Sequence, residues 1–582
     1  MTSPPLQTLQ AFIARLLARH RDITGHLDED LSLVYADALL RQALIRPTLD
    51  ALPPQLVVMG PTQAGKSTVV NLLLGAEAAQ SSPLAGFTRH AQGFADAPPD
   101  QTLIAAIDAL LAGLERRDCN ALSDQQLDQY CLTSADDADP VRQSIVIWDT
   151  PDFDSVNSRS YRSTVPMLCA MADLIVLVVS KDKYADQSVW ETLRLVKQID
   201  KPLIACINKV PPNASAQFSQ IVRDKFDAEN IAVSEIVTLP YLSHPEFAQQ
   251  LASREAHSLR ATVAAAIGES PVIPSAAALK HYLANHWNHW LQPLKTELTA
   301  QQQWAEEVES AITQARRAYE EEYLRNPHYK ETLQKAINGL LELMEIPGLA
   351  KSLARARQAI TWPMRTLGGL LKKQPPSADQ PAAPDNETQI LEEAIEHLLL
   401  QLQRESGEKT ASASDDSRRW RQHLWQTLQA QRETLRQRAR TAIETHQEQF
   451  APQIQQAAQR LFEHLKEHPT TLNALRATRA TADAAAVVVA LKTGGIGLND
   501  LVLAPAMLSF TSLLTEGAVG KYMQTVEEQL KQQQLDSVDQ TVFAPLRQTL
   551  IDLPTHMDDT GLYALPRAAV QEAEQALAAL EH

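Results

Sequence analysis

The chain has 582 residues, 44% of them hydrophobic and 21% charged, with a formal net charge of −17. That length exceeds what one hydrophobic core serves, so roughly two to four domains are expected. The acidic balance excludes nucleic-acid binding through bulk charge, and no nucleic-acid partner is expected.

Residues 1–50 read as an N-terminal helical segment. Ser3 caps it, Pro4 suits its first turn, and Leu9, Phe12, Ile13, Leu16 and Leu17 make an apolar stripe. The opening residues lack the apolar core and cleavage site of a signal peptide. Residues 51–270 alternate short apolar runs with helical stretches. The runs are QLVVMG (55–60), SIVIWDT (144–150), DLIVLVVS (173–180), PLIACINKV (202–210) and IAVSEIVTLP (231–240). Runs apolar on both faces suit buried strands, so this is an α/β domain: a mostly parallel sheet with helices on both faces. TRHAQGF (88–94) is a weaker strand candidate.

Residues 271–582 carry no strand pattern and read as a large all-α bundle or stalk of long, coiled-coil-like amphipathic helices. Leu294, Leu298, Val308, Ile312, Tyr319 and Tyr323 keep helical spacing, as do Trp420, Leu424, Leu428 and Leu435, then Ile454, Leu461 and Leu465. Pro452 is expected to kink or break its helix. A Pro-rich linker is expected at 374–386, and a second linker in ESGEKTASASDDS (405–417). The segment 346–373 joins a basic face to an apolar one, with Trp362 nearby. It reads as an interfacial membrane helix or as a helix docked on an acidic bundle. The apolar hairpin 482–523 reads as a leaflet-dipping tip or as a small-residue pair in the bundle core. Each arm of the hairpin is too short to span a bilayer, and no run of 18 or more apolar residues appears. Cys119, Cys131, Cys169 and Cys206 show no CxxC and no metal-ligand spacing. They fit a reducing cytosol better than a disulfide scaffold. A cytoplasmic protein, at most peripheral to the inner face of the membrane, is expected.

Chemistry concentrates in MGPTQAGKSTVV, which follows the first strand and opens a helix. It holds the full GxxxxGK[ST] pattern. Gly60 and Gly65 let backbone N–H groups turn toward phosphates. The helix N-terminus adds a partial positive charge. The nucleotide-binding stretch is therefore Gly60, Thr62, Gln63, Ala64, Gly65, Lys66, Ser67 and Thr68. Lys66 reaches the β- and γ-phosphates, and the Ser67 hydroxyl is a Mg²⁺ ligand. Asp149 closes the run IVIWD, so its carboxylate emerges at the carboxyl edge of the sheet, placed to hold Mg²⁺ through water.

These features, in this order, resemble the P-loop GTPases of the translation-factor and dynamin-like class over about residues 52–270. The helical remainder resembles bacterial dynamin-like large GTPases. The resemblance implies GTP or GDP as ligand, Mg²⁺ as cofactor, and self-association. It makes Thr88 the switch threonine that closes over Mg²⁺ and the γ-phosphate. It makes Asn208 and Lys209 the base-recognition pair, with Asn208 also bracing the P-loop. Two departures stand out. Asp152 replaces the glycine of DxxG, where the family's backbone N–H meets the γ-phosphate. Phe153 follows it and cannot orient water, which leaves Gln63 as the candidate. Pro211 stands where the guanine-selecting Asp of NKxD belongs, with Asn213 two residues on. The expected function is a slow, Mg²⁺-dependent GTPase coupling nucleotide state to a helical stalk. A nucleotide-sensing scaffold with little hydrolysis, acting on a protein or ribosomal partner, is the alternative.

Overall fold

The computed structural model describes residues 4–25, 30–48, 52–80, 88–123, 125–135, 139–141, 144–152, 162–211, 213–241, 247–268, 272–326, 331–343, 386–470, 472–473 and 517–581. The basic amphipathic segment 346–373 lies outside the described residues, as do Phe153, the linker before Asn386 and the hairpin before Gly517. Two compact units form: Met1–Leu298 with Asp559–His582, and Thr299–Asp558.

The first unit holds an eight-stranded sheet. Its strands are β1 (Gln55–Met59), β2 (Ala91–Ala95), β3 (Glu115–Arg116), β4 (Gln129–Ser134), β5 (Val146–Asp149), β6 (Leu174–Ser180), β7 (Leu203–Val210) and β8 (Glu235–Pro240). Their order is β3-β4-β2-β5-β1-β6-β7-β8. Every pairing is parallel except β2 with β5. The five strong apolar runs became β1, β5, β6, β7 and β8, and the weak candidate became β2. β3 and β4 carry no comparable apolar run, and the sequence reading passed over them.

Side chains alternate across the sheet, so each central strand feeds two cores. Val57, Met59, Ile175, Leu177 and Val179 face one core, with the helices Pro4–Thr24 and Leu31–Ile45. Trp287, Leu291 and Leu294 and the C-terminal residues Val570 and Ala573 join the same core. Leu56, Val58, Leu174, Val176 and Val178 face the other, under the helices Lys66–Leu74 and Arg254–Ala266. Glu297 anchors the C-terminal segment by accepting from the Tyr563 and Ala564 N–H groups at 3.0 and 2.9 Å. His286, a residue type that invites a metal reading, stacks on Trp290 with ring centroids 5.4 Å apart.

A buried polar junction ties the helix layer to the sheet. Asp173 Oδ2 pairs with Arg46 at 2.6 Å and accepts the Gln55 N–H at 2.8 Å. Its Oδ1 accepts the Val272 N–H at 2.8 Å. One carboxylate thus serves a helix end, β1 and the segment leading to the helix Ala276–Tyr319.

Cys119 and Cys131 form a disulfide, with Cα atoms 5.2 Å apart, contrary to the reading of unpaired thiols. Their separation in sequence carries no disulfide signature; the approach of the 119–121 turn to β4 brings them together. Cys169 and Cys206 are buried thiols.

The second unit is helical, and no described residue from 277 onward is in a strand. Its long helices are Asn386–Ser412, Asp415–Lys466 and Gly517–Val538. Leu333, Ile337, Phe450, Leu461, Met523 and Leu530 share one core. The linker expected at 405–417 is instead helix on both sides of Ala413 and Ser414. Its Gly/Ser/Thr composition is overridden by packing: Ser406 is fully buried, and Lys409 pairs with the buried Glu307 at 2.7 Å. The break expected at Pro452 is absent from the helix Asp415–Lys466. Pro452 and Glu448 are both exposed, so the carbonyl freed by the missing N–H faces solvent.

The junction gives a direct test. Asp173→Ala leaves Arg46 buried without its counter-charge, so unfolding free energy should drop by about 3–5 kcal/mol in urea denaturation. A loss below about 1 kcal/mol would show that the junction is not holding the helix layer.

Candidate nucleotide site

β1 ends between β5 and β6, and its register sets Val58 beside Asp149 and Met59 beside Leu177. The chain then leaves the sheet through Gly60. A Cβ there would lie 2.0 Å from the Val178 carbonyl oxygen, so only glycine passes. Gly65 adopts φ +95°, and a Cβ on it would lie 2.2 Å from Asn208 Nδ2. Gln63 holds φ +63° without being glycine, a local strain inside the loop. Lys66 then begins a helix that runs to Leu74, with its N-terminus directed from the carboxyl edge of the sheet.

Side chains from β5, the residues after it, and β7 converge on this loop. The Ser67 hydroxyl donates to Asp149 Oδ2 at 2.6 Å. Lys66 Nζ donates to Asp152 Oδ1 and, at 3.3 Å, to the Pro61 carbonyl. Lys66, Asp149 and Asp152 are all buried. The Asp152 N–H donates to the Thr88 carbonyl at 3.0 Å, tying the 88 and 152 segments together. Asn208 Nδ2 donates to the Ala64 carbonyl at 2.9 Å. Lys209, at φ +62°, extends its Nζ to the Gln63 carbonyl at 2.7 Å. Thr62, Ala64 and Thr88 are buried, Ser67 and Thr68 are half-buried, and Gln63 is exposed at the rim.

Asp149 has the electrostatics of an ion ligand. Burial pushes its carboxyl up to about 6, and nearby Asp152 adds to the rise; Lys66 and the Ser67 hydrogen bond pull against them. Its Oδ1 is buried without a hydrogen-bond partner. An unpaired carboxylate oxygen beside a hydroxyl is a hard-oxygen donor set that fits Mg²⁺. Among the described residues no group of three or more His, Cys, Asp or Glu could hold a metal. Mg²⁺ in phosphate sites needs none, because phosphate and water oxygens complete its shell.

The base-recognition end is less complete. Pro211 is exposed, and its carbonyl, the acceptor left to it, is taken by the Ala214 N–H at 2.9 Å. Asn213 is exposed, and Ser243, which follows β8, lies outside the described residues. Thr150 was missed by sequence reasoning: its Oγ1 is buried and unpartnered next to Asp149, and a lone threonine gives no motif. The destination of the Asp152 carboxylate was likewise not readable, because Lys66 lies 86 residues away.

Residues 55–209 match the family described as 50S ribosome-binding GTPase. No curated protein matches the chain. Three solved structures are similar at low identity. Era in complex with MgGDPNP and a segment of 16S ribosomal RNA is 18% identical, covering 38% of this chain and 59% of that one, with TM-score 0.25. Aquifex aeolicus Era bound to GDP and AlF4⁻ is 18% identical, covering 40% of this chain and 66% of that one, with TM-score 0.25. A bacterial dynamin pair is 12% identical, covering 94% and 92%, with TM-score 0.33. This chain therefore spans 59% of the length of the first Era structure.

Gly65→Ala forces a Cβ into Asn208 and a strained φ, a local cost of about 1–3 kcal/mol. Nucleotide affinity, measured by titration with labelled GDP, should fall by roughly tenfold or more. Unchanged affinity would show that this loop does not cradle phosphate. The family match, with the strand–loop–helix geometry, makes residues 55–209 a P-loop GTPase domain.

Proposed function

We propose that this chain is a slow, Mg²⁺-dependent GTPase of dynamin-like type, whose nucleotide state is coupled to its helical unit. The observation that carries this reading is the cluster at the end of β1: Lys66, Ser67 and Asp149 within hydrogen-bond reach of one another or of Asp152, beneath a loop braced by Asn208.

In this reading the P-loop N–H groups and the Lys66 ammonium hold the β- and γ-phosphates and stabilise charge as it develops. Ser67, Asp149 and Thr88 would hold Mg²⁺, which would supply charge neutralisation at the phosphate oxygens. Gln63, exposed at the rim, is the side chain available to orient the attacking water. Lys209 covers the base, while Asn208 fixes the loop against it. Guanine preference is weakened, because Pro211 supplies no carboxylate and its carbonyl is engaged.

A scaffold that senses nucleotide with little hydrolysis, acting on a protein or ribosomal partner, is the second reading. The Asp152–Lys66 pair favours it, since it engages the P-loop lysine internally. Self-association, a cytoplasmic location and peripheral membrane contact through 346–373 or 482–523 are part of the dynamin-like proposal. No described helix is long and apolar enough to cross a membrane.

Titration of the full chain with labelled GTP, GDP and ATP, with and without Mg²⁺, tests the proposal. GTP should bind tighter than ATP, and Lys66→Ala should abolish binding of both. ATP binding tighter than GTP would overturn the guanine assignment. Phosphate release on GTP separates the enzyme from the scaffold. Pro211→Asp restores a carboxylate acceptor and should raise the GTP-to-ATP affinity ratio roughly tenfold. No change in that ratio would mean that the base lies elsewhere.

A further inference from the structure

We propose that Asp152 is a specificity-determining residue that makes this site favour guanosine diphosphate over triphosphate, its carboxylate holding the lysine charge that a γ-phosphate needs. The inference rests on the GTPase reading and deepens it.

A P-loop lysine serves the terminal phosphates of a bound nucleotide. Here Lys66 Nζ is paired with Asp152, and both side chains are buried, at 4% and 8% exposure. Burial removes the water that would otherwise screen a carboxylate from an incoming phosphate. A diphosphate can share Lys66 with Asp152. A triphosphate brings further negative charge to the same ammonium, so it must displace the carboxylate or be repelled by it.

Among the described residues, two further charged groups bear on this competition. Lys209 Nζ is bonded to the Gln63 carbonyl at the base end of the loop. Asp149, three residues before Asp152, adds a second carboxylate close enough to Asp152 to raise its own pKa. The backbone N–H of Asp152 is held by the Thr88 carbonyl at 3.0 Å, so a shift of the backbone at 152 would be felt by the segment that carries Thr88.

The experiment is equilibrium titration of the full-length protein in Mg²⁺ with labelled GDP and with GDPNP, a non-hydrolysable GTP analogue. The wild type should bind GDP at least about tenfold tighter than GDPNP. Asp152→Asn and Asp152→Gly should raise GDPNP affinity roughly tenfold and change GDP affinity by less than about threefold. Equal binding of both ligands by the wild type, or tighter binding of GDPNP, overturns the proposal. So does an unchanged ratio in the variants. Where one variant fails to fold, the other carries the comparison, and a wild type without GDP preference overturns the proposal in either case. If neither ligand binds the wild type, the GTPase reading itself fails and this proposal with it. If GDP binds in a Lys66-dependent way but the ratio is unaffected by Asp152, only this proposal fails.

Discussion

The site depends on one constraint: β1 is buried on both faces between β5 and β6, and the chain must leave it within a single residue. Gly60 passes so close to the Val178 carbonyl that no side chain fits. Because the core fixes β1, it also fixes where the loop starts. The helix from Lys66 onward, packed through Val69, Val70 and Leu73, fixes where the loop ends. Between those anchors the loop is set by backbone geometry, and its last opening is closed by Asn208 on Ala64. The shape of the loop thus depends on hydrophobic burial at a distance as well as on its own glycines at 60 and 65.

Charge is handled sparingly around that cradle. The ammonium of Lys66 is paired with Asp152, and one oxygen of Asp149 is buried without a hydrogen-bond partner. A buried ion pair contributes less stability than its Coulomb term suggests, because desolvation opposes it. Its value here lies in specificity, since it links the P-loop to the strand-end segment and, through Thr88, to the segment before β2. Opposite the phosphate end, Pro211 and its turn bond to Ala214 leave guanine selection with fewer polar partners.

Buried polar groups recur in the helical unit. Glu387 Oε1 accepts from the Tyr319 hydroxyl at 2.8 Å and from Gln534 at 2.7 Å, and lies 3.2 Å from His446 Nε2. Three helices and the start of a fourth meet at one carboxylate. Such a layer costs stability relative to an apolar one but allows a single register between helices. Both π-helical turns, Glu320–Leu324 and Asp539–Phe543, lie close in sequence to residues of this layer.

Local patterning made much of this legible. Five apolar runs announced five strands, the GxxxxGK[ST] spacing announced the loop, and helical periodicity announced the all-α remainder. These signals are local: strand burial, glycine conformation and amphipathic period are written within a few residues. Composition misled at 405–417, where packing overrode it, Pro452 did not break its helix because the freed carbonyl faces solvent, and spacing gave no sign that Cys119 and Cys131 would meet. By itself the sequence determined the P-loop domain, its mostly parallel sheet and the chemistry available at Lys66, Ser67 and Asp149. Only the tertiary structure decided where the odd residues point: Asp152 onto Lys66, the Pro211 carbonyl onto Ala214, Asp173 onto Arg46. Apart from the Pro211 turn, those choices join residues far apart in the chain, and the desolvation that selects a partner exists only once the core has closed around them.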